Sequence, residues 1–413
     1  MTEKCRSVLP FILVCLSLYS QHSVAATRTA ASCSDTNVQS TVNQSASGDT
    51  VIVPGPCTVA WNSGVNIDNT KGITVQASGA VTITSGGFNI NPNGTASTRI
   101  TGFTFNGSGA LFISNTPAQG GLGTAHATCR IDHNTFTTSN DTWTFVNMNG
   151  DPVQVDCLFD HNSFTGGGGG EFIHNNGVGG NHGDDGWIDV VTPGSQHALY
   201  LEDNTFTGKG GTLASGVQSY YGARTVARYN TLNNAQIDQH GTAGAVGARW
   251  WEFYDNTFNG GMLCLRAGSG IIFNNTGGGN TKMVEEDSGY PADYQVGRGQ
   301  NQTSLPAYVW NDAPLDLNQL GCAPPAANMV QLNRDVDQAS SGTSLPGACT
   351  TGQGFWKTDE GGDWDTTHGG VNDGRLYKCT ATNTWTAYYT PYTYPHPLQN
   401  AIDAPDGLVA VAK

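Results

Sequence analysis

The sequence predicts an all-β protein in which one chain winds into a single-stranded right-handed parallel β-helix. Two observations lead to this prediction. The 413-residue chain contains 55 glycines and only 12% charged residues, which favours many short strands joined by tight turns over helical bundles or charge-driven disorder. In addition, a unit built around Asn-x-Phe returns along the chain from about residue 50 to about residue 277, and such a period is typical of a coiled repeat.

The repeat is centred on an asparagine that is followed two residues later by phenylalanine or leucine. Its clearest copies begin at Asn134, Asn162, Asn204, Asn230 and Asn256. The successive spacings are 28 (162−134), 42 (204−162), 26 (230−204) and 26 (256−230) residues, about the length needed to string several short strands into one coil. We interpret the 42-residue step as one coil with an insertion from Gly166 to Ser195.

Aligning the copies on the asparagine predicts which side chains face the interior. The position three residues earlier is always apolar, in Ile131, Phe159, Leu201, Ala227 and Phe253. Because side chains alternate along a strand, the positions two and four residues before the asparagine are expected to point outward. The asparagines themselves are expected to bond to the rungs above and below. His133 and His161 occupy equivalent corner positions and are interpreted as scaffold.

The first 26 residues have the pattern of a cleaved signal peptide. Lys4 and Arg6 precede an apolar core, from Val8 to Tyr19, that is too short to span a bilayer. Small residues then lead to a cleavage position before Thr27. No other segment is apolar enough to span a membrane, so we expect a secreted protein, extracellular or periplasmic, with no membrane partner in its mature form.

Eight cysteines remain after the signal peptide, and an even number in an exported protein predicts disulfides. Their spacing does not match a zinc site. Cys129 and Cys157 share one inward column on neighbouring rungs, where strands lie about 4.8 Å apart, so this pair is predicted from the register. Pairing the others in chain order predicts the bonds Cys33–Cys57, Cys264–Cys322 and Cys349–Cys379.

The net charge bounds the partners. With 18 basic and 33 acidic residues, the chain carries a formal charge of −15. This excess of negative charge argues against nucleic acid as a partner. An anionic substrate would need a local basic patch.

Both ends of the repeat are expected to be covered. Residues 33–47 predict a short amphipathic helix with Val38 and Val42 on one face and Asp35 as its N-cap. After the coil domain, residues 27–310, the region 311–413 loses the repeat and becomes aromatic-rich. We interpret it as a C-terminal cap over the exit end of the coil, because open strand edges need cover. The alternative is a carbohydrate-binding surface, since aromatic faces stack on sugar rings.

A helix followed by Gly-Asp-Thr-Val-x-Val-Pro, at Gly48 to Pro54, resembles the N-terminal cap of the pectate-lyase-like parallel β-helix proteins. The resemblance covers residues 33 to about 300 and also rests on the Asn-x-Phe rungs and on two phrases, Arg130 to His133 and Asp185 to Asp189. It implies an extracellular polysaccharide as substrate. The group includes uronate lyases, hydrolases, epimerases and phage depolymerases, so the fold alone does not decide the reaction.

The stretch from Arg224 to Asn275 concentrates the groups that β-elimination requires. The reaction needs a cation for the uronate carboxylate, a base for the C5 proton and an acid for the leaving oxygen. The residues predicted to be catalytic are Arg228, Asp238, His240, Arg249 and Tyr254. Those predicted to bind substrate are Arg224, Tyr229 and Arg266. For each residue alone the alternative is a structural role; Arg228 and Tyr254 share an outward column, whereas the path of His240 does not follow from the register.

A second candidate is the predicted inserted loop. Its carboxylates Asp184, Asp185 and Asp189 are a hypothetical Ca²⁺ site, or else they include the acid pair of a glycoside hydrolase. Glu171 and His174 are interpreted as part of a solvated loop. The leading hypothesis is therefore a polysaccharide lyase. The alternatives are a glycoside hydrolase that uses Asp184 or Asp185, and a non-catalytic carbohydrate-binding or structural protein.

Overall fold

Strands dominate the structure from the first described residues onward. The computed structural model describes residues 25–68, 70–91, 97–114, 127–138, 144–149, 155–167, 170–177, 192–209, 214–220, 222–240, 247–278, 280–283, 296–297, 303–312, 315–316 and 335–401. Most of the predicted signal peptide, residues 1–24, and the proposed calcium ligands Asp184, Asp185 and Asp189 lie outside these ranges.

Three parallel sheets form the coil, which confirms the predicted parallel β-helix. Sheet 1 has twelve described strands. They are Thr27–Thr29, Thr50–Pro54, Thr74–Ser78, Thr98–Thr101, Ala127–Asp132, Val155–Asp160, Leu199–Glu202, Arg224–Arg228, Trp250–Tyr254, Ser269–Phe273, Ala307–Trp310 and Val336–Gln338. The last of these pairs in parallel with its neighbour, so sheet 1 extends beyond residue 310.

The other two sheets alternate with sheet 1 along the chain. Sheet 2 has nine described strands: Cys57–Ala60, Val81–Ser85, Thr104–Asn106, Thr135–Thr137, Ser163–Gly166, Thr205–Gly208, Thr231–Asn233, Thr257–Asn259 and Thr276–Gly277. Sheet 3 has ten: Val65–Ile67, Phe88–Ile90, Leu111–Ser114, Thr144–Asn149, Glu171–Asn176, Ala214–Tyr220, Ala235–Gln239, Met262–Leu265, Asn280–Met283 and Leu315–Asp316. For most of the coil, each turn of the chain therefore adds one strand to every sheet.

The interior is filled by the predicted inward columns. The apolar residues three positions before each asparagine are all completely buried. On sheet 2 the phenylalanines stack in a continuous row, with ring centroids 4.5 Å apart for Phe136 and Phe164 and 4.9 Å apart for Phe164 and Phe206. Burying each of these side chains contributes roughly 1.5–3 kcal/mol. The regular spacing of the rungs thus comes with a regularly packed core.

A ladder of buried asparagines marks the corner between sheets 1 and 2. The side-chain oxygen of Asn204 accepts the backbone N–H of Asn162 at 3.0 Å, and its side-chain amide donates to the carbonyl of Phe159 at 2.8 Å. Asn162, Asn230, Asn256 and Asn275 repeat this bonding. The residue before each of five asparagines has positive φ, as follows: 54° for His133, 55° for His161, 56° for Asp203, 58° for Tyr229 and 53° for Asp255. Such left-handed residues are uncommon, and the ladder holds the chain in this turn.

The disulfides agree with the predicted pairing wherever the structure describes both partners. Cys129 and Cys157 are bonded and lie directly opposite each other in sheet 1. The bonds Cys33–Cys57 and Cys349–Cys379 are also present. Cys264 is disulfide-bonded, whereas Cys322 lies outside the described residues.

The predicted N-terminal helix is present at Asp35–Gln44, where Val38 and Val42 are buried against the core. Its N-cap is Ser34 rather than Asp35, because the Ser34 hydroxyl accepts the backbone N–H of Asn37. Asp35 instead accepts the backbone N–H groups of two residues in the next turn of the coil, Asn62 and Ser63. The predicted cap residue was therefore wrong by one position.

The interpretation of residues 166–195 as one insertion is also corrected. Glu171–Asn176 is a regular strand that pairs on both sides within sheet 3. Glu171 and His174 therefore lie on the coil and not in a solvated loop. The extra length of this turn of the coil therefore falls between Gly177 and the next strand of sheet 1, which begins at Leu199.

The aromatic C-terminal region packs on an outer face of the coil, that of sheet 1, and its strand Val336–Gln338 is the last described one of sheet 1 at the exit end. It contains a four-stranded sheet, Ser340–Gly342, Gly354–Lys357, Arg375–Ala381 and Thr384–Tyr389, and a short helix, Leu398–Ala401. Trp356, Trp364 and Leu376 pack with Tyr254 and Phe273 of sheet 1 in a second apolar cluster. These aromatic side chains are buried, which agrees with the interpretation that the C-terminal region covers the coil. Neither described helix is long and apolar enough to cross a membrane.

The ladder predicts that replacing a buried asparagine by alanine destabilises the fold far more than replacing an exposed one. Asn204 is 1% exposed, so Asn204→Ala leaves several buried polar groups without partners and should lower the free energy of unfolding by about 2–4 kcal/mol. Asn259 bonds to Asn233 on an exposed part of the same coil, and Asn259→Ala should cost less than about 0.5 kcal/mol. Urea unfolding of both variants measures this difference, and equal losses would contradict a structural role for the buried ladder.

Candidate functional site

The eight residues predicted to act in catalysis or substrate binding fall on two different outer faces. Five belong to sheet 1 or its edges: Arg224, Arg228, Tyr229, Arg249 and Tyr254. Three belong to sheet 3 or directly follow its strands: Asp238, His240 and Arg266. The structure does not bring them together as one site.

Arg228 and Tyr254 meet as the register predicts, but they are buried beneath the C-terminal region. The Arg228 Nη1 atom donates to the Tyr254 hydroxyl at 2.8 Å, and its Nε atom donates to Glu202 at 2.7 Å. The remaining donors bond to the carbonyls of Tyr392 and Thr393 and, a second time, to Glu202. Arg228 and Tyr254 are both fully buried, so their charge and hydroxyl are used within the chain.

The carbonyls that cover Arg228 belong to the segment we call the C-terminal strap, residues 390–399. The strap also reaches Tyr229, whose ring stacks on Tyr394 with centroids 3.9 Å apart, while the Tyr229 hydroxyl bonds to Asp365. Arg224 and Arg249 are each 8% exposed. The sheet 1 face therefore anchors the C-terminal region and is closed to a polymer in this conformation.

One strap residue makes this anchorage sensitive to pH. The imidazole of His396 is buried, and its Nδ1 atom accepts the backbone N–H of Leu398 at 3.1 Å, which requires that nitrogen to be unprotonated. Burial, reinforced by Arg228 and Arg130, lowers the pKa of His396 to about 3. The backbone N–H of His396 also donates to Glu202 at 3.1 Å.

The outer face of sheet 3 carries the second group of residues. Ile173, Val217, Ile237 and Leu263 lie opposite one another and are buried in the core. The residue after each apolar one points outward, which places His174, Gln218 and Asp238 in one row. We call the polar residues gathered here the sheet 3 cluster. They are Glu171, His174, Gln218, Tyr220, Asp238, His240 and Arg266.

Three rings of the cluster stack on successive strands. The centroid of Tyr220 lies 4.7 Å from that of His174 and 4.4 Å from that of His240. The phenol is thus held between two imidazoles. All three side chains are partly exposed, so their polar edges are within reach of a ligand.

A carboxylate links two of these rings. The Nδ1 atom of His174 lies 2.6 Å from Oε2 of Glu171, and the Tyr220 hydroxyl lies 3.4 Å from Oε1 of the same side chain. Tyr220 also bonds to the side-chain oxygen of Gln218. Burial, together with the nearby Glu171 and Asp238 carboxylates, raises the pKa of Tyr220 well above its ordinary value. The phenol therefore keeps its proton near neutral pH.

Arg266, the cation of the cluster, forms a bidentate ion pair with Asp238. Arg266 donates from Nε and Nη2 to the two oxygens of Asp238, at 3.0 and 2.8 Å. Such a bidentate pair fixes the plane of the guanidinium. Asp238 is buried and Arg266 is partly exposed, so the positive group of the pair lies toward solvent.

The structure adds Glu171, His174, Gln218 and Tyr220 to the residues that the sequence singled out for this face. The signal that would have found them is the row of apolar residues shared by the sheet 3 strands. Among the described residues, no group of three or more His, Cys, Asp or Glu side chains is arranged to hold a metal ion. The calcium hypothesis rests on aspartates outside those ranges.

No protein-family model matches the chain, and no curated protein matches it.

The buried His396 predicts a loss of stability in acid. Its folded-state pKa lies below the unfolded value of 6.5, so its contribution is fully present above that value and is lost as pH falls toward 3. Between about pH 7.5 and about pH 4.5, wild-type protein should lose about 2–3 kcal/mol more unfolding free energy than His396→Asn.

Urea unfolding at the two pH values measures this difference, and His161 supplies a control of opposite sign in the same experiment. Its hydrogen bond to Asp160 raises the pKa of His161, so this side chain stabilises the fold at low pH and loses that effect as pH rises. His161→Asn should therefore lose more stability on acidification than wild-type protein does. Parallel curves for all three proteins would contradict the assignment of His396.

Proposed function

We infer that this protein is exported and acts on a uronate-containing polysaccharide by β-elimination. The observation that supports this function is the sheet 3 cluster, in which partly exposed imidazole, phenol and guanidinium groups lie on one outer face of the coil. These are the three kinds of group that the reaction needs.

Export is supported by the disulfides and by the signal pattern of the first 26 residues. Three bonds, Cys33–Cys57, Cys129–Cys157 and Cys349–Cys379, are formed. Such bonds form and persist mainly in oxidising compartments.

The shape of the coil supports a polymer as the ligand. Strands of sheet 3 follow one another about 4.8 Å apart, and ten of them are described. Their outer face is therefore a long ladder of regularly spaced side chains, which suits an extended chain better than a small enclosed ligand.

The chemistry assigns one task to each group. Arg266 neutralises the uronate carboxylate, which acidifies the C5–H bond of the sugar. An imidazole takes the C5 proton, the C4–O bond breaks, and the electron pair of the C–H bond becomes the C4=C5 double bond. Tyr220, which is protonated near neutral pH, gives its proton to the departing oxygen. Solvent then restores the proton on the phenolate and removes the one on the imidazole.

A local cation is necessary because the chain is acidic overall. With a net charge of −15, long-range attraction does not favour a polyanion. Arg266 at the rim of its pair with Asp238 offers positive charge where the substrate would lie. We expect weak binding that is sensitive to salt.

The test compares two tyrosines that make the same kind of bond. On a panel of uronate polymers, wild-type protein should generate the ultraviolet absorbance of the C4=C5 double bond. Tyr220→Phe removes the acid and should lower kcat about 100-fold or more, with KM little changed. Tyr377 is also partly exposed and bonded to a glutamate, Glu360, but lies in the C-terminal sheet. Tyr377→Phe should therefore keep full activity.

Other outcomes would overturn the proposal. Reducing ends without ultraviolet absorbance would make the protein a glycoside hydrolase, and binding without any product would make it a carbohydrate-binding protein. Each assay is run with Ca²⁺ and with a chelator. A loss of activity with the chelator would support the calcium site proposed for Asp184, Asp185 and Asp189.

A further inference from the structure

The sheet 3 cluster contains two imidazoles, and the structure describes a bond between one of them, His174, and a carboxylate. We propose that His174 is the base and that Glu171 is a positioning residue that holds the His174 ring in the reactive tautomer. This inference rests on the proposed β-elimination. It goes further by naming the atom that takes the proton, Nε2 of His174.

The tautomer follows from the bond between the two side chains. Nδ1 of His174 lies 2.6 Å from Oε2 of Glu171. An ionised carboxylate has only acceptors, so Nδ1 must be the donor of this bond. In the neutral ring the other nitrogen, Nε2, then carries the lone pair. A carboxylate in this position also stabilises the imidazolium that forms when Nε2 takes a proton.

The surroundings leave Nε2 available. His174 is 25% exposed and Glu171 is 22% exposed at their side chains, so a ligand can reach the ring without displacing the core. Within the part of the chain that the structure describes, no hydrogen bond is made to Nε2 of His174. Tyr220 packs on one face of the ring at 4.7 Å and limits its rotation.

The same carboxylate connects base and acid. Its second oxygen, Oε1, lies 3.4 Å from the Tyr220 hydroxyl, so Glu171 fixes the separation of the two groups that exchange protons with the sugar. In the step, Nε2 of His174 gains the C5 proton and the phenol loses one to the leaving oxygen. The residues end as an imidazolium and a phenolate, and the charge of the cluster is unchanged.

Other imidazoles with the same kind of bond provide references, and His133 and His161 are two of them. His133 and His161 place Nδ1 at 2.8 and 3.1 Å from Asp132 and Asp160. They stack on each other at the corner of sheets 1 and 2, with centroids 5.0 Å apart. No phenol lies between them, and they are on a different face of the coil. Their reactivity shows how a carboxylate-bound imidazole outside the site behaves, and it serves as the reference for His174.

The experiment first measures reactivity without substrate. Diethyl pyrocarbonate modifies unprotonated imidazole nitrogens, and mass spectrometry of the modified peptides gives a rate for each histidine. His174 should react, and a bound uronate polymer should slow its modification about tenfold while leaving His133 unchanged. Nitrogen NMR of the His174 ring should show the proton on Nδ1. In Glu171→Gln, whose amide offers both a donor and an acceptor, that preference should weaken.

Kinetics of the same variants then separate the inference from the proposed function. Glu171→Gln should lower kcat about 10- to 100-fold with KM little changed, and the acid limb of its pH profile should move. His174→Gln should lower kcat further, whereas His133→Gln should match wild-type protein. Elimination by wild-type protein that survives His174→Gln would overturn this inference and leave the proposed function standing. Absence of elimination on every polymer would overturn both.

Discussion

The left-handed corner with its asparagine ladder is the constraint on which the rest of the coil depends. Each asparagine side chain bonds to the backbone of the preceding turn, as Asn204 does with Asn162 and Phe159. Along the ladder, from Asn134 to Asn275, the ends of the sheet 1 strands and the starts of the sheet 2 strands that follow them are therefore held in register. The Cys129–Cys157 bond and the Arg228–Tyr254 contact follow directly, because both pairs sit at a fixed distance from the corner.

This constraint also explains how far the sequence could predict the fold. The inward columns, the disulfide in register and the outward row that contains Arg228 all count from the asparagine, and all are confirmed. Sheet 3 does not keep that count. Its inward residues Val146, Ile173, Val217, Ile237 and Leu263 follow the preceding ladder asparagine by 12, 11, 13, 7 and 7 positions (146−134, 173−162, 217−204, 237−230 and 263−256). Glu171 was thus assigned to a loop because the connection before it varies in length.

A different reason explains why the residues predicted to form one site lie on two faces of the coil. An outward position on a strand predicts where a side chain points, but it does not predict what covers it. Arg228 points outward as expected, yet its nearest carbonyls come from the strap, 164 and 165 residues later in the chain. No local pattern links such distant segments. On sheet 3, by contrast, Asp238 and Arg266 keep the proximity that their clustering in the sequence indicates.

The outer faces of sheet 1 and sheet 3 differ in whether their polar groups are buried and bonded within the chain or remain in contact with solvent. Beneath the strap, Arg228 is fully buried and gives its donors to Glu202, Tyr254 and two carbonyls. A network of this kind stabilises docking, because any change of partner would leave a buried charge unsatisfied. On sheet 3, Glu171 and His174 retain contact with solvent, so a proton or a ligand can be exchanged at modest cost. The same building blocks therefore serve as an anchor on one face and fit proton transfer on the other.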